Sequence, residues 1–163
     1  MPTTATSRTE YGSGVSRSGS TTIHIDAPPD AVYALVSDIT RMGEWSPETV
    51  KAEWIEGATG PAAGARFKGT NKLGFLRWST KPMVEVADPG REFTFVTMFR
   101  SEKETRWSYR LAPAGDGTDV TESWEELSQI PIIGRLMMND RRERQLTEGC
   151  AKTLARIKAA AEA

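Results

Sequence analysis

Short segments of alternating apolar and polar residues fill the first part of the chain, and a helical repeat ends it. Residues 20–26, STTIHID, place Ile23 and Ile25 on one face and predict a first β-strand. The next segment, DAPPDAVYALVSDI, begins with prolines that favour a first helical turn. Its apolar residues recur at helical spacing, at Val32, Leu35, Val36 and Ile39. Pro47 then limits anything helical before it to a short piece, so we predict a pair of short helices.

Between Val50 and Leu127 the alternating runs are separated by Gly, Pro and Asp residues typical of turns. The runs are VKAEWIEG, ARFKGTNK, FLRWSTKPMVEVA, REFTFVTMF, KETRWSYRLA and TDVTESWEEL. Because such short connections join antiparallel neighbours, these six strands and the first predict a seven-stranded antiparallel sheet. Pro82, within the longest run, favours a bulge or a division into two pieces.

The last segment, RLMMNDRRERQLTEGCAKTLARIKAAAEA, predicts a long helix. Asn139 is a candidate N-cap, although the helix could also begin earlier, after Pro131. The apolar stripe of this helix can cover the apolar face of the sheet, which gives an α+β fold. The stripe consists of Leu146, Cys150, Leu154 (or Thr153), Ile157 and Ala161.

Length and composition narrow the class of protein. The 163 residues suit one domain, and the polar, glycine-rich residues 1–19 are expected to form a flexible leader to a domain over 20–163. With 21 basic and 22 acidic residues, the total charge gives no reason to expect nucleic acid or an anionic membrane as a partner. No apolar run is long enough to make an integral membrane protein. A single cysteine fits the cytoplasm, and one cysteine with one histidine makes no usual metal site.

Alternation also assigns side chains to the two faces of the strands. The apolar sets are expected to face the long helix, and the arginines and lysines between them to face solvent. The arginine cluster DRRER, at 140–144, is likewise expected to form a solvated helix face. A few polar residues share the inward positions: Asn71, Thr80, Thr97 and Tyr109. They would either orient a small ligand in a pocket or bond to nearby backbone within a solidly packed interior.

Glu122 alternates with Val120 and Trp124, which indicates that it faces inward. A buried carboxyl group has a raised pKa and can donate or accept a proton, so Glu122 is a weak catalytic candidate. The alternative is that this face is solvated or that Glu122 pairs with a basic residue. The other catalytic residues are unknown.

The segments IDAPPDAVYALVSDITRMGEWSP, TDVTESWE and GCAKTLARIKAAAE, in this order, resemble the START-like (SRPBCC) superfamily. More narrowly, they are similar to its bacterial polyketide cyclase/dehydrase-like members, over residues 20 to 160. The resemblance implies the helix-grip fold, in which a curved antiparallel sheet wraps a long C-terminal helix and leaves a cavity between them.

In such a fold the short helices close one end of the cavity, so Trp45 would line its mouth or simply pack the helix pair onto the sheet edge. Gly149 would allow close packing of helix on sheet or leave room for a ligand, and Cys150 would be a small buried residue. The full set of expected cavity residues is Trp45, Phe67, Asn71, Trp78, Thr80, Phe95, Thr97, Trp107, Tyr109, Glu122, Trp124, Gly149, Cys150 and Thr153.

The resemblance supports three functions of different classes. The first is the binding of a small hydrophobic molecule, such as a lipid or a polyketide-like compound, without a cofactor or a metal. The second is a polyketide cyclase/dehydrase acting on a poly-β-ketone, for which no catalytic set matches residue by residue. The third is a protein-interaction module. The oligomeric state is not indicated by the sequence.

Overall fold

The computed structural model describes residues 17–99, 101–127 and 138–163. Most of the predicted leader, residues 1–16, lies outside this part of the chain. The first strand begins at Ser18, two residues before the predicted start of the domain. A start of the last helix after Pro131 also lies outside the described residues.

Eight strands and three α-helices are formed by the described residues. The strands are β1 Ser18–Ile25, β2 Thr49–Ile55, β3 Arg66–Leu73, β4 Leu76–Thr80, β5 Met83–Asp88, β6 Glu92–Phe99, β7 Glu102–Ala114 and β8 Gly117–Glu126. The α-helices are α1 Pro29–Ser37, α2 Met42–Trp45 and α3 Asp140–Ala161, and a 3₁₀ turn, Ile39–Arg41, joins the first two. The predicted order of strand, short helices, sheet and long helix is confirmed.

All strand pairs are antiparallel, and seven strands follow one another in the order β1-β8-β7-β6-β5-β3-β2. The eighth, β4, pairs with β3 alone and lies off this path. The predicted longest run is therefore two strands, separated at Lys81 and Pro82. Proline lacks the amide that a central ladder needs, which explains the division. The curled antiparallel sheet, with seven strands in one path and β4 beside β3, packs against a long helix, which is the predicted helix-grip fold.

The termini of the helices follow their local sequences. Helix α1 begins at Pro29, where a missing amide costs nothing, and Pro28 precedes it in an extended conformation. Helix α3 begins at Asp140, and the Asn139 side chain accepts a 2.9 Å hydrogen bond from the amide of Arg142. The predicted cap is thus confirmed.

Helix α3 buries one stripe of side chains against the sheet. Leu146, Cys150, Thr153, Leu154 and Ile157 are its buried residues, so both Thr153 and Leu154 face inward. Leu154 and Ile157 join a core with the apolar residues of α1 and the sheet. Leu146 and Cys150 pack with Trp124 in a second cluster nearer the start of the helix. The fold leaves an opening between these two regions, and the candidate site lies there.

Candidate functional site

A cavity of about 250 Å³ lies between helix α3, the inner face of the sheet and the segment after α2. Most of its wall is aromatic or apolar. The strands contribute Phe67, Trp78, Phe95, Trp107 and Tyr109, and helix α3 contributes Leu146, Gly149, Cys150 and Thr153. An apolar chamber with a few polar groups is the usual form of a small-molecule site.

The most deeply buried polar pair of this wall is Tyr109 with Glu122. The two residues lie directly opposite each other on β7 and β8. The Tyr109 hydroxyl donates a 2.9 Å hydrogen bond to Oε1 of Glu122. The second carboxyl oxygen, Oε2, is buried and has no hydrogen-bond partner among the described residues. Glu122 lines the cavity, so its unpaired Oε2 is a candidate partner for a polar group of a ligand.

Burial sets the protonation state of Glu122. Desolvation raises the pKa of its carboxyl group to about 8, although the hydrogen bond from Tyr109 opposes the shift. The carboxyl group is therefore largely neutral at pH 7. A neutral carboxylic acid has an O–H that it can donate to an acceptor in the cavity. Burial and the nearby Glu122 also raise the pKa of Tyr109 well above its ordinary value, so the phenol stays protonated.

The other predicted polar residues are tied to their neighbours. The Thr49 hydroxyl donates a 2.8 Å hydrogen bond to the side-chain oxygen of Asn71. The side-chain NH₂ of Asn71 in turn donates a 3.4 Å hydrogen bond to the Thr80 hydroxyl. The Thr97 hydroxyl donates to the carbonyl of Thr105 and accepts from its amide. Thr97 thus bonds to nearby backbone, as one of the two interpretations of the sequence expected. Asn71 and Thr80 form a short polar strip on the cavity wall.

An ion pair spans the cavity between the segment after α2 and the first turn of α3. The Arg142 guanidinium donates two hydrogen bonds to the Glu48 carboxylate, one of them 2.9 Å long between Nη2 and Oε2. Both side chains line the cavity, and they are 23% and 19% exposed. Pro47 and Gln145, beside them, are exposed, so the ion pair lies at the opening. We name this pair the mouth ion pair.

The mouth ion pair was not predicted from the sequence. The prediction of a solvated face for residues 140–144 is wrong for Arg142, because its guanidinium is taken up by a carboxylate from a distant segment. A single acid within the loop after α2 carries no local pattern that could have indicated this pairing. Several uncharged lining residues were also missed, among them Met42, Pro47, Gly69 and Leu146.

Twelve of the fourteen predicted cavity residues lie on its wall. They are Phe67, Asn71, Trp78, Thr80, Phe95, Thr97, Trp107, Tyr109, Glu122, Gly149, Cys150 and Thr153. Their contact with a ligand stays a prediction, as does a role of Glu122 in proton transfer.

Trp45 does not line the cavity, so its predicted place at the mouth is wrong. It is 3% exposed and packs in the main core. The Arg41 guanidinium lies 4.9 Å from its ring, and its backbone carbonyl accepts a hydrogen bond from Arg156. Trp45 therefore joins the short helices to the sheet and to α3, which is the packing alternative.

Trp124 is also absent from the cavity wall. Its indole N–H donates a 3.2 Å hydrogen bond to the Thr147 hydroxyl of α3, and Gly19 lies directly across from it on β1. A Cβ at Gly19 would collide with both the Trp124 ring and the Thr147 hydroxyl. The ring thus fills the space between β1 and α3, behind the wall to which alternation assigned it.

Two lining residues of α3 differ in their surroundings. A Cβ on Gly149 would lie 3.4 Å from the Pro47 ring, so the glycine faces the opening and not the sheet. Cys150 is buried, and desolvation together with Glu122 raises the pKa of its thiol, which keeps it unreactive. Cys150 is the small buried residue that was predicted.

The part of the chain that the structure describes holds no group of three or more His, Cys, Asp or Glu side chains arranged to bind a metal ion. None of its helices has the length and apolar character needed to cross a membrane.

The chain is similar to known proteins in both sequence and fold. A family model described as "Polyketide cyclase / dehydrase and lipid transport" matches residues 16–162. The solved structure of the Polyketide_cyc-like protein Cgl2372 from Corynebacterium glutamicum is 37% identical in sequence, with a TM-score of 0.52. The match covers 90% of this chain and 86% of that one. No curated protein matches the chain significantly.

Two more distant structures share the fold. The major latex-like protein 151 of Panax ginseng has a TM-score of 0.67 at 14% identity, and the match covers 91% of this chain and 99% of that one. Protein CV1439 of Chromobacterium violaceum has a TM-score of 0.69 at 16% identity, covering 90% and 98% of the two chains. At these identities the likeness concerns the fold alone.

Proposed function

The chain belongs to the polyketide cyclase/dehydrase and lipid transport family, with the START-like fold, and from this premise we propose that it binds a small hydrophobic molecule, lipid or polyketide-like, in its cavity. We propose that it does so in the cytoplasm, where reducing conditions keep a single cysteine such as Cys150 as a free thiol. The observation that carries the proposal is a cavity with five aromatic side chains on its wall and one buried, largely neutral acid, Glu122.

The size of the chamber limits the ligand. Ligand pockets usually measure about 300–1,000 Å³, and an apolar cavity of about 150 Å³ can hold benzene. A volume of about 250 Å³ therefore suits a compact molecule larger than benzene, or one part of a longer molecule that extends through the mouth. A single acyl chain or a small fused ring system fits this description better than a whole two-chain lipid.

Affinity and orientation come from different parts of the wall. Apolar burial contributes about 25 cal/mol per Å² before the costs of association are subtracted. The Glu122 carboxyl group has an O–H to donate and lies beside the hydrogen-bonded Tyr109. A ligand with a carbonyl or hydroxyl oxygen at that depth would give Oε2 the hydrogen-bond partner that it lacks among the described residues.

Native mass spectrometry and thermal-shift assays test the proposal with a panel of fatty acids, aromatic ketones and saturated hydrocarbons. We expect compact ligands with one oxygen acceptor to raise Tm more than hydrocarbons of equal size. Thr80→Phe should abolish the shift by filling the cavity, whereas Ser79→Phe, on the exposed opposite face of β4, should retain it. If no compound in the panel binds or raises Tm, the cavity is not a ligand site.

A second candidate function, catalysis on a poly-β-ketone, is favoured by the same acid. General acids work best when their pKa is near the operating pH, and the pKa of Glu122 is about 8. Its O–H could protonate a ketone oxygen while the enol carbon of a second ketone of the same chain attacks that carbonyl carbon, and the carboxylate would recover a proton from the enol O–H as its carbonyl re-forms. The test compares the products formed from a poly-β-ketone with wild type, Glu122→Gln and no protein. A Gln variant with full turnover would remove Glu122 from the reaction.

A further inference from the structure

The hairpin of β3 and β4 exposes two large apolar side chains at its tip. Phe75 is 108% exposed and Leu76 is 68% exposed. Leu73 pairs with Leu76, so the turn has two residues, and Gly74 adopts a φ of +58° at the first of them. Glycine meets this backbone requirement of a tight hairpin without strain. The tip is therefore a short, well-defined turn that holds Phe75 in water.

The same hairpin lies in a segment that carries only positive charge. Residues 61–84 contain five of the 21 basic residues of the chain and none of its 22 acidic ones. They are Arg66, Lys68, Lys72, Arg77 and Lys81. A near-neutral total charge thus conceals a strongly basic hairpin.

The cations nearest the tip have no acidic partner among the described residues. Lys72 lies directly opposite Arg77 in the β3–β4 ladder, and both are exposed. Like charges directly opposite each other destabilise a sheet. Of the three cations farther from the tip, Lys68 lies opposite Glu53 and Arg66 is 3.8 Å from Glu56, whereas Lys81, just after β4, has no acidic partner among the described residues. Two of the three unpaired cations of the hairpin thus lie at the end that bears Phe75 and Leu76.

We propose that the β3–β4 hairpin is a docking surface for an anionic phospholipid bilayer, with Phe75 and Leu76 entering the interface and Lys72 and Arg77 contacting the lipid phosphates. The spacing suits this arrangement, because the cations lie one ladder position behind Leu73 and Leu76, roughly 3.3 Å along the strand. Interfacial apolar groups enter a bilayer by roughly 5–10 Å, so the cations reach the headgroup level.

The position of the hairpin relates this surface to the cavity. Asn71 and Trp78, which pair across the two strands, line the cavity, whereas Lys72 and Arg77 alternate to the opposite face. One hairpin thus forms a cavity wall on one side and the basic surface on the other. Docking would hold the cavity beside a bilayer, where apolar molecules are concentrated. This inference goes beyond ligand binding and does not depend on it.

The arrangement favours a bilayer over a nucleic acid. Single-stranded nucleic acid binds along a basic groove in which successive bases stack on aromatic rings. Here one aromatic ring, Phe75, lies at a convex tip beside an aliphatic residue, Leu76, which offers no stacking platform. An apolar pair in front of a pair of cations matches the order of layers in an anionic membrane surface.

Co-sedimentation with vesicles tests the proposal, using phosphatidylcholine alone and phosphatidylcholine mixed with phosphatidylserine. We expect binding to the mixed vesicles only, weakened by salt. Each juxtamembrane cation contributes about fivefold in affinity, so Lys72→Gln with Arg77→Gln should reduce binding roughly 25-fold. Phe75→Ser with Leu76→Ser should reduce it at least as much. These side chains are exposed, and an unchanged Tm and circular dichroism spectrum will verify that the variants fold.

Matched controls are Lys152→Gln, an exposed cation on α3, and Val50→Ser, an exposed apolar residue away from the tip. Both should bind vesicles as wild type does. The proposal is overturned if wild type ignores anionic vesicles, or if the hairpin variants bind as well as the controls. It is equally overturned if a single-stranded oligonucleotide binds through Phe75 while the vesicles do not. None of these outcomes bears on cavity occupancy, which is measured without lipid bilayers.

Discussion

Tyr109 and Glu122 face each other across adjacent strands, and the 2.9 Å hydrogen bond between them satisfies only one of the two carboxyl oxygens. A buried carboxyl group with a free oxygen is costly in a packed core and useful in a binding site. Both residues are buried in the cavity wall.

Glu122 makes the stability of the protein depend on pH. Its pKa is raised from 4.5 to about 8, so between these values the folded protein holds a proton that the unfolded chain releases. The free energy of unfolding should therefore fall as pH rises through this window, by at most about 1.4 kcal/mol per pH unit. Urea denaturation across the window, compared with Glu122→Gln, should show this fall in wild type alone.

Glu148→Gln, on the exposed face of α3, serves as the control and should keep the pH dependence of wild type. Parallel stability curves for wild type and Glu122→Gln would contradict the raised pKa.

Removal of the Tyr109 hydroxyl should raise the pKa of Glu122 further, because this hydrogen bond favours the charged form. In Tyr109→Phe the carboxylate of Glu122 has no hydrogen-bond donor. Above pH 8 the free energy of unfolding of the variant should therefore be about 1–3 kcal/mol below that of wild type. Carbon-13 NMR of the Glu122 carboxyl group would measure the pKa directly. An unchanged titration in the variant would show that the hydrogen bond does not control this group.

Gly149→Ala should stabilise the protein while narrowing the cavity. A helix interior favours alanine over glycine by about 1 kcal/mol, and the new methyl group would only touch the Pro47 ring, at 3.4 Å. We expect the free energy of unfolding to rise by about 0.5–1 kcal/mol and the affinity for a cavity ligand to fall.

The reverse change at an exposed site of the same helix, Ala155→Gly, isolates the contribution of helix propensity. It should lower the free energy of unfolding by a similar amount and leave the affinity for the ligand unchanged. If Gly149→Ala instead lowers the free energy of unfolding, the prediction is wrong, because the Pro47 ring cannot move enough to accommodate the methyl group.

The mouth ion pair of Arg142 and Glu48 should slow ligand exchange. Arg142→Met keeps an unbranched apolar stem but removes the guanidinium and with it both hydrogen bonds to Glu48. We expect the dissociation rate constant of a bound ligand, measured by stopped-flow displacement, to rise several-fold. Stability should change by less than about 1 kcal/mol, because partly exposed ion pairs contribute little. Arg144→Met, an exposed neighbour, should leave the rate unchanged, and equal rates in both variants would remove the pair from the exchange pathway.

Alternation along the strands predicted the cavity wall well. The inward orientation of Glu122 follows from Val120 and Trp124 on the same face, and all three are buried. The division of one predicted strand at Pro82 was one of the two outcomes that proline allows. These properties are local, so the sequence contains them.

Depth and long-range pairing could not be predicted in this way. Alternation places Trp124 on the inner face of the sheet. It does not predict that the Trp124 ring packs against Gly19 and hydrogen-bonds to Thr147, away from the cavity. The partnership of Arg142 with Glu48 joins residues 94 positions apart, and that of Tyr109 with Glu122 depends on the register of two strands. Such contacts require the tertiary structure.

The central claim is that an apolar molecule binds inside the cavity, and the five tryptophans make this directly measurable. Trp78 and Trp107 line the cavity, whereas Trp45 lies in the core outside its wall. A nitrogen-15 NMR titration of the indole signals with the best ligand of the panel should shift Trp78 and Trp107 strongly and leave Trp45 nearly unchanged. Saturable shifts at Trp45 with none at Trp78 and Trp107 would place the ligand elsewhere and contradict the claim.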